Sequence, residues 1–221
     1  KIRRKKLLNF FDLPYITNSL QKDNKFKWKQ ETSKRDYKEK VKKIIRYINN
    51  GDIFQTNYTH KFTAEKPDNL SDSSFYLNFR NKTQTPFSAF LNFGDVSVCS
   101  FSPERFIKLS NLKVITSPIK GTIKTSSNKT KDNALKESLM KSEKDLAENL
   151  MIVDVLRNDI SKVCTKGSVK VKQLAELKSY KNVHHLVSTI EGKLKSQKHI
   201  LDLLIACLPG GSVTGAPKVR A

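Results

Sequence analysis

The chemistry in this sequence is concentrated in six short stretches. Gly51-Asp52-Ile53-Phe54-Gln55-Thr56-Asn57 opens a strand directly after a helix stop and reads as a helix cap followed by an edge strand. Ser102-Pro103-Glu104-Arg105-Phe106 sets an acid and a base beside a proline that fixes the backbone, either as a surface ion pair or as a placed acid. Ser117-Pro118-Ile119-Lys120-Gly121-Thr122 carries one lysine at an otherwise apolar strand end. A desolvated amine there could act as a nucleophile, although the chain has many other lysines. Asp145 and Glu148 stand three apart on one helical face, and Glu148 lies in a run too apolar to solvate a carboxylate. Its partner is either an internal cation, Arg157 or a lysine, or magnesium, which takes few protein carboxylates and leaves positions for substrate oxygens.

His184 and His185 sit on a strand whose alternation sends them to opposite faces, so they do not bind one metal together. His185 shares the expected inner face with Val183 and Val187, as a core histidine or as a site residue. Pro209-Gly210-Gly211-Ser212-Val213-Thr214-Gly215-Ala216-Pro217-Lys218 is a loop of small residues with two hydroxyls. Its glycines would let backbone N–H groups approach a carboxylate or phosphate, but the Gly-Lys-Ser/Thr of a P-loop is missing. A flexible turn is the plainer reading.

The elements that must hold these residues can be read from periodicity. A helix runs from Ser33 with Tyr37, Val41, Ile44, Ile45 and Ile48 on one face, stopped by Asn49-Asn50-Gly51. A strand over Ile53–Phe62 places Phe54, Tyr58 and Phe62 on one side. A short helix follows near Ser71–Asn81, then strands at Phe87–Phe93, Val96–Phe101, Arg105–Leu109 and Leu112–Thr116. One long helix is expected over Asp132–Asn158. Eight of the eleven residues from Leu146 to Leu156 are apolar, which predicts burial all round. Strands at Ser168–Leu174 and Val183–Ile190 and a helix near His199–Leu208 complete the pattern. Hairpin-like strands and helices in irregular order argue an α+β fold. Residues 1–33 read as the tail of an N-terminal region plus a linker, with an apolar patch (Leu7, Leu8, Phe10, Phe11, Leu13) that must pack on something. Residues 34–221 read as one domain that carries all six stretches.

Composition narrows the class of function. With 221 residues and a formal net charge of +21, a nucleic-acid role must be tested first. The chain has 34 Lys, 16 Asn and only 8 Arg. Arginine is the usual tool for bidentate phosphate and guanine contacts, whereas Lys and Asn share A-rich codons. The basic stretches also lack interleaved aromatics, so the excess reads as genome composition. Three well-separated cysteines form neither a disulfide framework nor a metal pattern, which favours a reducing cytoplasm. No apolar run is long enough to span a bilayer. The sequence has no internal repeat.

Taken in order, GDIFQ, SPERF, PIKGT, AENLMIVD, RND, HHLVS and PGGSVTGAPK resemble the chorismate-utilising enzymes, from about Arg35 to Ala221. The resemblance implies a four-layer α/β/β/α fold with two orthogonally packed sheets and an active site in the cleft between them. Lys120 in PIKGT resembles the aminodeoxychorismate synthase branch, since the anthranilate and isochorismate branches usually carry a small Ala there. It implies Lys120 as a nucleophile on chorismate, Glu104 as general acid and Glu148 as a magnesium ligand. It further implies that His185 lines the site, that Gly211, Ser212, Val213 and Thr214 bind a substrate carboxylate, and that Lys218 adds positive charge. Ammonia would come from a glutamine amidotransferase partner subunit, with no nucleic acid and no membrane involved. After PIKGT, where most of the family continues with Pro-Arg or Arg-Arg, this chain has Ile123-Lys124-Thr125. The family continues beyond GAPK with a substrate-binding arginine and a second magnesium carboxylate, so the chain is expected to be a fragment. Anthranilate synthase component I is the nearest rival reading, and a basic binding module the non-enzyme one.

Overall fold

The computed structural model describes residues 26–221. The apolar patch at Leu7–Leu13 lies outside the described residues. The described residues divide into two compact units, one of residues 26–31 and 61–103, the other of 32–60 and 104–221.

Along the chain, β1 (Lys29–Gln30) is followed by helix α1 (Lys34–Asn49), β2 (Gln55–Thr56), β3 (Phe62–Thr63) and helix α2 (Asp72–Thr83). Strands β4 (Phe87–Asn92), β5 (Ser97–Ser102), β6 (Arg105–Ser110), β7 (Lys113–Ser117) and β8 (Ile119–Lys124) come next. Helices α3 (Lys129–Met140) and α4 (Glu143–Ser161), strands β9 (Lys170–Ser179) and β10 (Val183–Lys193), helix α5 (Ile200–Cys207) and β11 (Gly215–Ala216) complete the order.

In the first unit β1 pairs with β3, and β4 and β5 form an antiparallel hairpin. Tyr76 of α2 packs on Phe90 and Phe101 of that hairpin, each with ring centroids 5.5 Å away. Such ring pairs add about 1 kcal/mol each beyond the area they bury.

The second unit is built on β10. One edge of β10 pairs with β9, and the other pairs with β8 and β7 laid end to end, with β6 outside β7. Helix α4 covers this sheet with Ile152, Val153, Leu156 and Ile160, which pack with Val114, Ile190 and Leu203. That core fixes α4, which carries Glu148, against β10, which carries His185 and pairs with the strand of Lys120.

Four expectations change. The single helix over Asp132–Asn158 is two, because Ser142 leaves helical geometry (φ −69°, ψ 99°) and its hydroxyl caps Asp145 N. The apolar half-helix is buried on one side only; Leu150 is 56% exposed, and the buried residues Asn149, Ile152, Val153, Leu156, Asp159 and Ile160 follow the 3–4 spacing of one stripe. The strand expected over Ile53–Phe62 shrinks to β2 and β3, with Phe54 66% exposed, because β11 offers β2 only two residues to pair with. Helix α1 buries none of its residues fully; Tyr37 meets Tyr58 with centroids 5.1 Å apart, while Ile45 and Ile48 stay exposed.

Candidate active site

Lys120 owes its position to a defect in strand pairing. Pro118 separates β7 from β8, has no N–H to donate, and accepts Ser188 N at its carbonyl (3.0 Å). Ile119 lies opposite Val187, yet Thr122 lies opposite His185, so the register slips by one residue across Lys120-Gly121. Gly121 takes φ +88°, the left-handed geometry of a bulge glycine. A bulge re-aims the side chains beside it. The Lys120 ammonium ends 3.2 Å from Glu148 Oε1 and donates to the Ser212 carbonyl at 3.4 Å, its side chain only 11% exposed.

Glu148 is pinned through its neighbour. Asn149 is fully buried; its Oδ1 accepts a short hydrogen bond from the Ser188 hydroxyl, and its Nδ2 donates to the Leu186 carbonyl at 3.4 Å. The same Ser188 hydroxyl accepts Ala175 N at 2.8 Å, so one network ties α4, β10 and β9 together. One residue earlier, Glu148 Oε1 accepts both Lys120 and Gln55 Nε2, the latter at 2.6 Å. Charge-assisted bonds of this length hold a carboxylate firmly.

Gln55 is delivered by the pairing of two segments more than 150 residues apart in sequence. Strand β2 lies antiparallel to β11, with Gln55 opposite Ala216 and Thr56 opposite Gly215. Asn57 N donates to the Thr214 carbonyl at 2.6 Å, and Asn57 Nδ2 donates to the Ser212 carbonyl at 3.2 Å. The Ser212 carbonyl thus receives both Asn57 and Lys120. Packing also explains two of the loop's glycines. A Cβ on Gly211 would fall 2.5 Å from Val155 Cγ1, and one on Gly215 would strike the Gln55 carbonyl oxygen. The Val213 and Thr214 amides and the Thr214 hydroxyl all donate to the Gly210 carbonyl, which makes a tight turn of this stretch.

Glu104 enters from the turn between β5 and β6. Burial pushes its carboxyl above the ordinary carboxylate range, against the opposing pull of the Ser212 side chain, the Ile119 backbone and the Lys120 charge. Burial thus favours the protonated form of a carboxyl that lies near the Lys120 amine.

His185 is 8% exposed, 2.7 Å from the Thr122 hydroxyl through Nδ1, with Tyr180 edge-on at 5.5 Å. Burial, then the neighbouring His184, lowers its pKa, so the neutral ring is favoured. His184 faces the other way, its Nε2 2.9 Å from Asp132 and its Nδ1 2.8 Å from Ser179. The two histidines do lie on opposite faces, but Val183, His185 and Val187 are not the only inner face: His184, Leu186 and Ser188 are buried as fully, since α3 and α4 pack on that side.

Lys218 does not join this cluster. Its ammonium is 2.7 Å from Asp159, which is buried to 1% exposure, and bonds the Ala206 and Cys207 carbonyls at 3.5 and 3.2 Å. A cation there closes the C-terminal end of α5 and neutralises a buried carboxylate. The acid of the Arg157-Asn158-Asp159 stretch thus serves to hold the loop after α5.

The structure therefore gathers Lys120, Glu104, Glu148 and Ser212, sets His185 nearby through Thr122, and adds Gln55, to which the sequence alone gave no role. No group of three His, Cys, Asp or Glu that could hold a metal occurs among the described residues. Glu148 is a single hard carboxylate with both its donors on Oε1, which fits one ligand position of a metal that keeps most of its water, as Mg2+ does. Among the described residues no helix is long and apolar enough to cross a membrane.

Residues 4–221 match the family described as chorismate binding enzyme, and the chain belongs to that family. It is 44% identical over 194 residues to aminodeoxychorismate synthase component 1 of Klebsiella aerogenes, covering 88% of this chain and 43% of that protein. It is 36% identical over 208 residues to anthranilate synthase component 1 of Aquifex aeolicus, covering 92% of this chain and 41% of that one. Among solved structures, anthranilate synthase component I from Streptococcus pneumoniae superposes with a TM-score of 0.82 at 31% identity, over 98% of this chain and 47% of that one. The chain thus spans less than half the length of these relatives, and the fold is the chorismate-binding α+β fold.

Proposed function

We propose that this chain forms part of an aminodeoxychorismate synthase component I, which exchanges the C4 hydroxyl of chorismate for an amino group. The observation that carries this reading is the Lys120 amine, held at 3.2 Å from Glu148 in a largely enclosed position beside Glu104, whose pKa burial raises. Lys120 as the free amine attacks C2 of chorismate, both ring double bonds shift by one bond towards C4, and the C4 hydroxyl departs. Glu104 gives that oxygen a proton, so that water leaves. Ammonia then attacks C4, both double bonds shift back, and the Lys120–C2 bond breaks to return the amine. The ammonia is supplied from glutamine by a partner amidotransferase subunit. His185 lines the site as a neutral ring, and the turn Gly211–Thr214 faces a substrate carboxylate. Lys218 supports that turn by clamping Asp159. Magnesium held by Glu148 would supply positive charge for the ring carboxylate.

The similarity to anthranilate synthase component 1 gives a second reading, in which ammonia enters at C2. The test is Lys120→Ala in the full chain with chorismate, Mg2+ and ammonium. Intact mass without ammonium is expected to show a covalent species on the parent and none on the variant, with aminodeoxychorismate formation lost. Aminodeoxychorismate at the parental rate from the variant would remove Lys120 as nucleophile, and anthranilate as the parent's product would establish the second reading.

A further inference from the structure

The Gln55 side-chain amide is half used. Its Nε2 is bound to Glu148 at 2.6 Å, whereas its Oε1 is buried and has no hydrogen-bond donor among the described residues. The amide cannot be reversed, because a carbonyl oxygen placed against the Glu148 carboxylate would be repelled. Oε1 is therefore a fixed acceptor at the Lys120–Glu148 centre. Leaving such an atom buried and unmatched carries a penalty. A donor supplied by a ligand would recover what the fold already loses there.

Chorismate, with its two carboxylates ionised, has one hydrogen-bond donor, the hydroxyl at C4. We infer that Gln55 is a substrate-contacting residue whose Oε1 accepts a hydrogen bond from the C4 hydroxyl of chorismate. This inference rests on the chorismate reading above. The bond fixes the hydroxyl hydrogen on Gln55 and leaves the oxygen lone pairs for a proton from Glu104. The leaving group is thus oriented by a neutral amide anchored on the same carboxylate that pairs with the nucleophile.

Binding separates this role from simple support of Glu148. On a Lys120→Ala background, where no adduct forms, chorismate and its 4-deoxy analogue are titrated by calorimetry with Gln55 intact and with Gln55→Met. With Gln55 intact, chorismate is expected to bind about tenfold more tightly than the deoxy analogue; with Gln55→Met the two bind alike. If Gln55→Met does not fold, Gln55→Asn, which keeps the amide but withdraws its oxygen by one methylene, is expected to lose the same preference. An equal preference for the hydroxyl with and without Gln55 would overturn the inference, leaving Gln55 as a support for Glu148. If the unsubstituted chain neither binds nor consumes chorismate, the chorismate reading itself falls, and this inference with it.

Discussion

Glu104 lies within reach of the Lys120 charge, and burial raises the pKa of its carboxyl. Because burial raises the Glu104 pKa, the folded chain holds this proton more tightly than the unfolded chain does. Its contribution to stability therefore declines as pH rises from the ordinary carboxylate range towards the raised value. The same sign governs catalysis. The donor form is lost as pH rises through the raised pKa, so kcat/KM for chorismate is expected to fall on that alkaline limb. Glu104→Gln should lower kcat/KM by about 10²–10⁴-fold and abolish the limb, which a pH–rate profile of the two proteins would reveal. An unchanged limb in Glu104→Gln would assign it to another group.

Among the elements, the turn at Gly211 depends on contact with α4. A methyl group at Gly211 would meet Val155 Cγ1 at 2.5 Å, too close for either side to absorb without movement. Gly211→Ala is expected to destabilise the chain by about 1–3 kcal/mol, the usual penalty for overpacking. Val155→Ala in the same chain should recover part of that loss, since it removes the opposing methyl groups. Chemical denaturation of the two single variants and the double variant would measure the coupling. Strictly additive losses would show that Gly211 is required for its backbone geometry instead. The bulge at Gly121 belongs to the same scale: its φ of +88° and the closeness of Asp145, Leu139 and Leu186 make strand geometry and helix packing meet at the residue after Lys120.

Over the whole molecule the +21 charge is dominated by lysines scattered along the chain. Lys38, Lys40, Lys42 and Lys43 of α1 are all exposed; Lys40 lies 5.8 Å from the Tyr58 ring and Lys43 5.7 Å from that of Tyr47. Exposed cation–π contacts contribute about 0.5–1 kcal/mol each. Replacing the four lysines with glutamine should lower the isoelectric point while kcat and KM for chorismate stay within about twofold, the range of surface substitutions remote from a site. A large loss of kcat at saturating chorismate would place α1 at the site or against the proposed partner subunit.

The ordered motifs carried the family, because each preserves residue types that local chemistry requires: Glu104 after a fixed proline, Lys120 before a bulge glycine, small residues through Gly210–Gly215. Helix ends capped by Ser33 and Ser71, and the hairpin strands of β4 and β5, were also legible, since caps and alternation act over a few residues. The break at Ser142 was available in the same way, as a serine three residues before Asp145, but the continuous apolar pattern on either side concealed it. Three features needed the tertiary structure. Gln55 reaches Glu148 only because β2 pairs with β11, and Lys218 turns to Asp159 only because α5 ends beside α4. The glycines of the loop answer to Val155 and to β2 as well as to any anion. These outcomes rest on which distant segments become neighbours, and hydrogen bonds and van der Waals contacts between segments far apart in the chain leave no period in the sequence from which to read them.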